Sequence, residues 1–118
     1  MKDALYKYLA KVIYVYDGDT CTVDMDLGLS TWIHDEKIRL ARINAPELSG
    51  EEREQGIRSR DFLRELIDGK QVFIETEKDK KGKYGRYIGE IWLEQSPEKW
   101  INVNDLLVEK GYAEYKSY

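Results

Sequence analysis

This chain of 118 residues contains one cysteine, one histidine and no long apolar run. The lone Cys21 excludes an intramolecular disulfide and a multi-cysteine zinc site. The lone His34, in the polar stretch His34-Asp35-Glu36-Lys37, excludes a metal site built on two histidines and reads as a solvated loop residue. The longest apolar stretches fall far short of a bilayer span, so no membrane role is expected. The segment Met1 to Lys7 carries charge but no continuous apolar core. It has no signal-peptide pattern, and the expected location is cytoplasmic, although a processed secreted form would read the same way. There is no internal repeat, low-complexity segment or linker, and residues 1–118 read as one domain.

Hydrophobic residues make up 42% and charged residues 36%, a balance that suits a globular fold and argues against wholesale disorder. The formal net charge is −4, but it is unevenly spread. Lys78, Lys80, Lys81, Lys83 and Arg86 crowd one segment against the single Asp79, while residues 47–54 are mainly acidic. A basic loop on an acidic body follows. A phosphate-bearing partner would then be held weakly and with strong salt dependence.

Tyr, Val and Ile enrich residues 5–16, which favours a strand. Residues 20–27 alternate, with Cys21, Val23, Met25 and Leu27 on one face and Thr20, Thr22, Asp24 and Asp26 on the other. Cys21 on that apolar face reads as a small core residue. A third strand covers about 37–43 and is ended by Pro46. Ser49 and Glu52 have capping-box spacing ahead of a helix with Ile57, Phe62, Leu63, Leu66 and Ile67 on one stripe, stopped by Gly69. Two strands follow near 71–77 and 86–94. Asn102 is placed to cap a second helix with Val103, Leu106 and Leu107 inward, stopped by Gly111, and a few more helical residues are expected after it. The order excludes strict βαβ alternation. It suits an α+β, mainly β fold: a five-stranded OB-type Greek-key barrel with two to three helices.

Three segments carry residues suited to chemistry. Asp17-Gly18-Asp19-Thr20 is an ordinary turn when taken alone. It also sets the Asp19 carboxylate at a strand start, where a hard cation would find oxygen. In Arg39 to Glu47, strand alternation puts Arg39 with Ala41 and Ile43, and Arg42 with Ile38 and Leu40. Each face mixes charge with apolar groups, so one guanidinium is expected to have a specific anionic partner. Pro46 stiffens the exit and directs Glu47, a carboxylate suited to handling water. Lys83-Tyr84-Gly85-Arg86 is either a solvated hairpin loop or a phosphate-binding loop in which Arg86 supplies paired donors.

Together and in this order, these segments resemble the staphylococcal nuclease (thermonuclease-like) family from about Leu9 to Ala113, including the late stretch Asn104 to Ala113. The resemblance implies Ca²⁺-dependent cleavage of DNA and RNA, with single strands preferred, leaving 3′-phosphates and 5′-hydroxyls. It implies metal ligation by Asp19, Asn44 and the Ala45 carbonyl. It further implies phosphate binding by Arg39, water handling by Glu47, transition-state stabilisation by Arg86 and substrate contacts by Lys83 and Tyr84. On this basis Arg39→Ala and Arg86→Ala would each cut turnover with the fold intact. The family pattern has Asp where Asn44 stands and Thr where Ala45 stands. Losing one carboxylate weakens Ca²⁺ binding. The stretch Gly28 to Asp35 looks like an enlarged loop, and the connection from Glu47 to the first helix looks short.

Two other readings compete. One is a catalytically weakened OB-type module that holds single-stranded nucleic acid, favoured by Asn44 and the net charge. The other is a protein-interaction domain whose acidic body meets a basic partner. Retention of Asp19, Arg39, Glu47 and Arg86 together argues for the enzyme, because a pure binder has no use for a water-positioning carboxylate. Trp92 reads as core, while Trp32 and Trp100 remain open between packing and stacking.

Overall fold

The computed structural model describes residues 6–81 and 85–116, with backbone alone for 77–81. Three antiparallel strands open the chain: β1 (Lys7–Asp17), β2 (Thr20–Gly28) and β3 (Thr31–Leu40). A two-residue strand β4 (Ile43–Asn44), a short 3₁₀ turn (Gly50–Glu52) and helix α1 (Arg53–Ile67) follow. Strands β5 (Gln71–Lys81) and β6 (Tyr87–Ser96) then pair with each other, and β5 returns to β1. The barrel closes where β3 meets β6 in parallel, Ile38 to Tyr87 and Leu40 to Gly89. This is the expected five-stranded OB-type barrel, with two helices. A hairpin strand β7 (Lys99–Asn102) extends β6, and helix α2 (Val103–Glu109) leads into β8 (Glu114–Tyr115). Residues 114–115 are therefore strand rather than further helix, pairing with β4.

The alternation in β2 buries Cys21, Val23 and Met25 beside Val12, Val15, Ile38, Leu40, Ile74 and Ile91. Burial pushes the Cys21 thiol up to about 12, which keeps it inert. Leu27 breaks the pattern and is exposed. The reason is that β1 stops pairing at Leu9–Asp26, so beyond Asp26 strands β2 and β3 run on as a two-stranded tip, with Gly28 opposite Thr31. The segment read as an enlarged loop is mostly the start of β3, which begins at Thr31 and not near 37. Residues 31–37 are largely exposed, so they carry no apolar period for sequence reading to detect. His34 lies on this strand beside Asp24, Nδ1 to Oδ1 3.3 Å, with its ring stacked on exposed Trp32. Trp92 is half-buried, donating Nε1–H to Glu75, and Trp100 packs edge-on to Phe73 at the surface.

Helix α1 buries Gly56, Ser59, Leu63 and Ile67, with Phe62 and Leu66 packed at the rim. The expected Ser49–Glu52 capping box does not form, and Ser49 makes no side-chain cap bond. The intervening 3₁₀ turn delays the helix to Arg53, and the Glu52 carboxylate instead accepts from the Glu47 amide at 3.1 Å. At α2 the sequence reading holds: the Asn102 side chain accepts from Asp105 N at 2.9 Å. Its other end is a Schellman cap, with Tyr112 N bonded to Leu107 O and Gly111 N to Val108 O. Asn104, which sequence reasoning passed over, is fully buried. Its Oδ1 accepts from Ile91 N, and its Nδ2 donates to the carbonyls of Ala41 and Gly89. One amide thus ties α2 to β6 and to the turn after β3.

Candidate active site

The turn between β1 and β2 lies against the chain after β3. Gly18 is required there by proximity: a Cβ would fall 2.7 Å from the Ala45 Cβ and 2.8 Å from the Ser59 Cβ. Asp17 Oδ1 accepts from Asp19 N at 3.0 Å, an Asx-type turn that aims the next carboxylate inward. Asp19 is buried at 7% exposure. Its Oδ2 accepts from Ala45 N at 2.8 Å and lies 3.3 Å from Arg39 Nη2, while Oδ1 accepts from Thr20 Oγ1 at 3.3 Å.

Arg39 spreads its fork across the same spot. Nη1 donates to Leu40 O at 2.8 Å and Nη2 to Asn44 Oδ1 at 3.2 Å. Asp19, Arg39, Asn44 and Ala45 therefore form one constellation. Arg42 does not share the Ile38–Leu40 face, because the chain turns after Leu40 and Arg42 takes a positive φ of 67°. It makes a bidentate pair with Glu90, 2.7 Å on each arm, and reaches Asp105 at 2.9 Å. Both arginines have anionic partners. Arg42 braces the turn to β6 and α2, whereas Arg39 stays at the constellation.

Glu47 is exposed, and its backbone is fixed from two sides. The Glu52 carboxylate holds its amide, and its carbonyl lies over Gly56 so closely that a Cβ there would be 2.1 Å away. A cleft of about 350 Å³ runs between Asn44, Ala45, Pro46 and α1. Arg86 lies off this cleft. It lines a second groove with Thr20 and Lys37. Lys83 and Tyr84 fall outside the described residues.

A family model for the staphylococcal nuclease homologues matches residues 37–118. The chain belongs to the staphylococcal nuclease family. Thermonuclease of Staphylococcus hyicus is 30% identical over 92% of this chain and 59% of its own length. Thermonuclease of Staphylococcus intermedius is 31% identical over 94% and 60%. An uncharacterized protein of Methanocaldococcus jannaschii is 32% identical over 90% and 58%. The chain thus spans about three fifths of these relatives. Arg39, Asn44, Ala45, Glu47 and Arg86 lie inside the matched stretch, and Asp19 lies before it.

A hard cation at this constellation would draw on the Asp19 carboxylate, the Asn44 amide oxygen and the Ala45 carbonyl, oxygen types that Ca²⁺ takes. Among the described residues no three His, Cys, Asp or Glu side chains come together as a metal cluster. The donor set is chemically suited to Ca²⁺ but carries one formal charge. Asp17 adds a carboxyl next door. Burial first, and then the Asp19 charge, push it up from 3.8 to about 6. The folded protein therefore keeps this proton up to about pH 6, while the unfolded chain releases it near pH 3.8. The resulting stabilisation is fully present below pH 3.8 and is lost as pH rises through about 6. Asp17→Asn keeps the acceptor for Asp19 N and removes the titration. In urea unfolding, the midpoint of the variant relative to wild type should rise between pH 4 and 6 and then level off. A difference that does not change with pH would remove Asp17 from this role.

Proposed function

We propose that this domain is a Ca²⁺-dependent nuclease that hydrolyses phosphodiester bonds of DNA or RNA, with single strands preferred. The observation that carries the reading is the shared spot of Arg39, Asp19, Asn44 and Ala45: a guanidinium fork in contact with hard oxygen donors. Asp19, the Asn44 amide oxygen and the Ala45 carbonyl would hold Ca²⁺, which when bound supplies positive charge to a phosphate oxygen. Arg39 binds the scissile phosphate by exchanging its bond to Asn44 for phosphate oxygens. Glu47, on a braced backbone, orients or deprotonates the attacking water. Arg86 stabilises the charge that develops on the phosphoryl oxygens and the leaving oxygen. As a guanidinium with a pKa above about 12, it acts electrostatically and not as a proton donor. Lys83 and Tyr84 contact the terminal phosphate and the nucleotide.

Asn44 favours a second reading, a module that binds single-stranded nucleic acid without cutting it. An amide at this position leaves the cation site one negative charge poorer. The deciding measurement is digestion of denatured DNA, duplex DNA and RNA with Ca²⁺ and with chelator, for wild type, Glu47→Ala and Asn44→Asp. The nuclease reading expects Ca²⁺-dependent cutting that Glu47→Ala loses, and half-maximal activity at lower Ca²⁺ in Asn44→Asp. No cutting by wild type at millimolar Ca²⁺, with oligonucleotide binding retained, would give the binding module.

A further inference from the structure

The groove that holds Arg86 has features the phosphate chemistry does not use. It encloses about 370 Å³, within the usual range for one small-ligand site, and is lined by Tyr14, Tyr16, Thr20, Thr22, Lys37 and Arg86. We propose that it is a base-stacking subsite for single-stranded nucleic acid, holding the nucleotide next to the cleaved phosphate. This assignment rests on the nuclease reading for its position along the strand.

An irregularity in the β1–β2 register between Val12 and Tyr14 shifts the alternation by one residue, so Tyr14 and Tyr16 face outward while Val12 and Val15 stay buried. Tyr14 is 52% and Tyr16 57% exposed, a large aromatic area to leave in water on a barrel wall. Tyr14 is nevertheless held in place. Arg64 of α1 donates Nη2–H to its hydroxyl at 3.3 Å, lies 5.5 Å from its ring centroid and is itself anchored by Nε–H to Val15 O at 3.1 Å. A ring fixed before binding loses little entropy when a base stacks on it.

Cross-strand register supplies the matching charge. Tyr14 pairs with Thr22 and Thr22 with Lys37, forming one row across three strands. The neighbouring row pairs Thr20 with Arg39, two residues along each strand. The rows are therefore about 7 Å apart, a separation suited to one phosphate on Arg39 and the next on Lys37. The row beyond Thr22 pairs Asp24 with Lys11 of β1, and the Asp24 carboxylate is taken up by the Asp35 amide and by His34. The Arg39 and Lys37 rows are the two that present cations for successive phosphates, so the subsite takes one or two nucleotides. Base stacking needs an unpaired base, which selects single strands over duplex.

The test is fluorescence anisotropy of a labelled single-stranded oligonucleotide in chelator, where no cutting occurs, for wild type, Tyr14→Ala, Tyr16→Ala and Lys37→Ala. Each tyrosine variant should bind about 5- to 100-fold more weakly. Lys37→Ala should lower the slope of log affinity against log salt by about 0.7. With Ca²⁺ added, the ratio of kcat/KM on a long strand to that on a dinucleotide should fall in the tyrosine variants. If Tyr14→Ala loses its fold by circular dichroism, Tyr16→Ala and Lys37→Ala decide. Wild-type affinity in those two variants, or an equal loss on duplex, overturns the subsite. Absence of cutting by wild type would sink the nuclease reading alone, because the anisotropy arm still reports on the groove.

Discussion

Gly56→Ala should lower the thermal midpoint by roughly 10 °C, corresponding to about 3 kcal/mol, and should abolish the proposed nuclease activity without touching any reacting group. The added Cβ would meet the Glu47 carbonyl oxygen at 2.1 Å and the Pro46 carbonyl oxygen at 3.0 Å. Both are backbone atoms, so no side chain can rotate away. Either α1 withdraws from the barrel or the 46–47 segment shifts, and the second route moves Glu47 off the water it is proposed to handle. Gly69→Ala is the control. Gly69 has a positive φ of 73° but open space around the missing Cβ, so it carries only the cost of a left-handed residue, about 1–2 kcal/mol. Thermal melts by circular dichroism, with cleavage assays below the transition, separate the two. A Gly56→Ala midpoint equal to that of wild type would show that the Glu47 carbonyl does not need its seat on α1.

Arg39→Lys should reduce kcat/KM by roughly 100- to 1000-fold while the protein stays folded. The fork divides its two arms, one on Leu40 O and the other between Asn44 Oδ1 and Asp19 Oδ2. A lysine ammonium is one point charge on a flexible stem, so it answers Asp19 but cannot present paired donors to a phosphate. Arg39→Ala does more than the sequence alone suggests. It strips the cation from a carboxylate exposed by only 7%, leaving Asp19 with the Ala45 amide and the Thr20 hydroxyl. Loss of stability is then expected together with loss of turnover, on the order of 1–3 kcal/mol for a buried acceptor that loses one of its donors. Steady-state kinetics beside urea unfolding separate these effects. Unchanged turnover in Arg39→Lys would take the guanidinium out of phosphate binding.

These two residues mark where sequence reading stops. Arg39 was visible because an arginine between Ile38 and Leu40 requires an explanation, and that argument needs only the alternation of a strand. Gly56 was not visible, since a glycine in an amphipathic helix has no local signature of what packs above it. Asn102 was readable as a cap because its partner Asp105 is three residues away. Asn104 was not, because Ile91, Gly89 and Ala41 are distant in the chain. Ser49 misled for the complementary reason: its spacing to Glu52 is right, but the 3₁₀ turn gives Glu52 another donor.

By itself the sequence determined the alternating strands, the apolar stripe of α1, the cap and stop of α2 and the chain segments that carry charge. All of these depend on periods and partners a few residues long. Only the tertiary structure decided that β3 closes on β6, that Arg42 braces a turn while Arg39 stays at the constellation, that Gly18 is set by close packing, and that two tyrosines of β1 share a groove with Lys37 and Arg86. Each of those depends on which distant surfaces meet once the barrel closes.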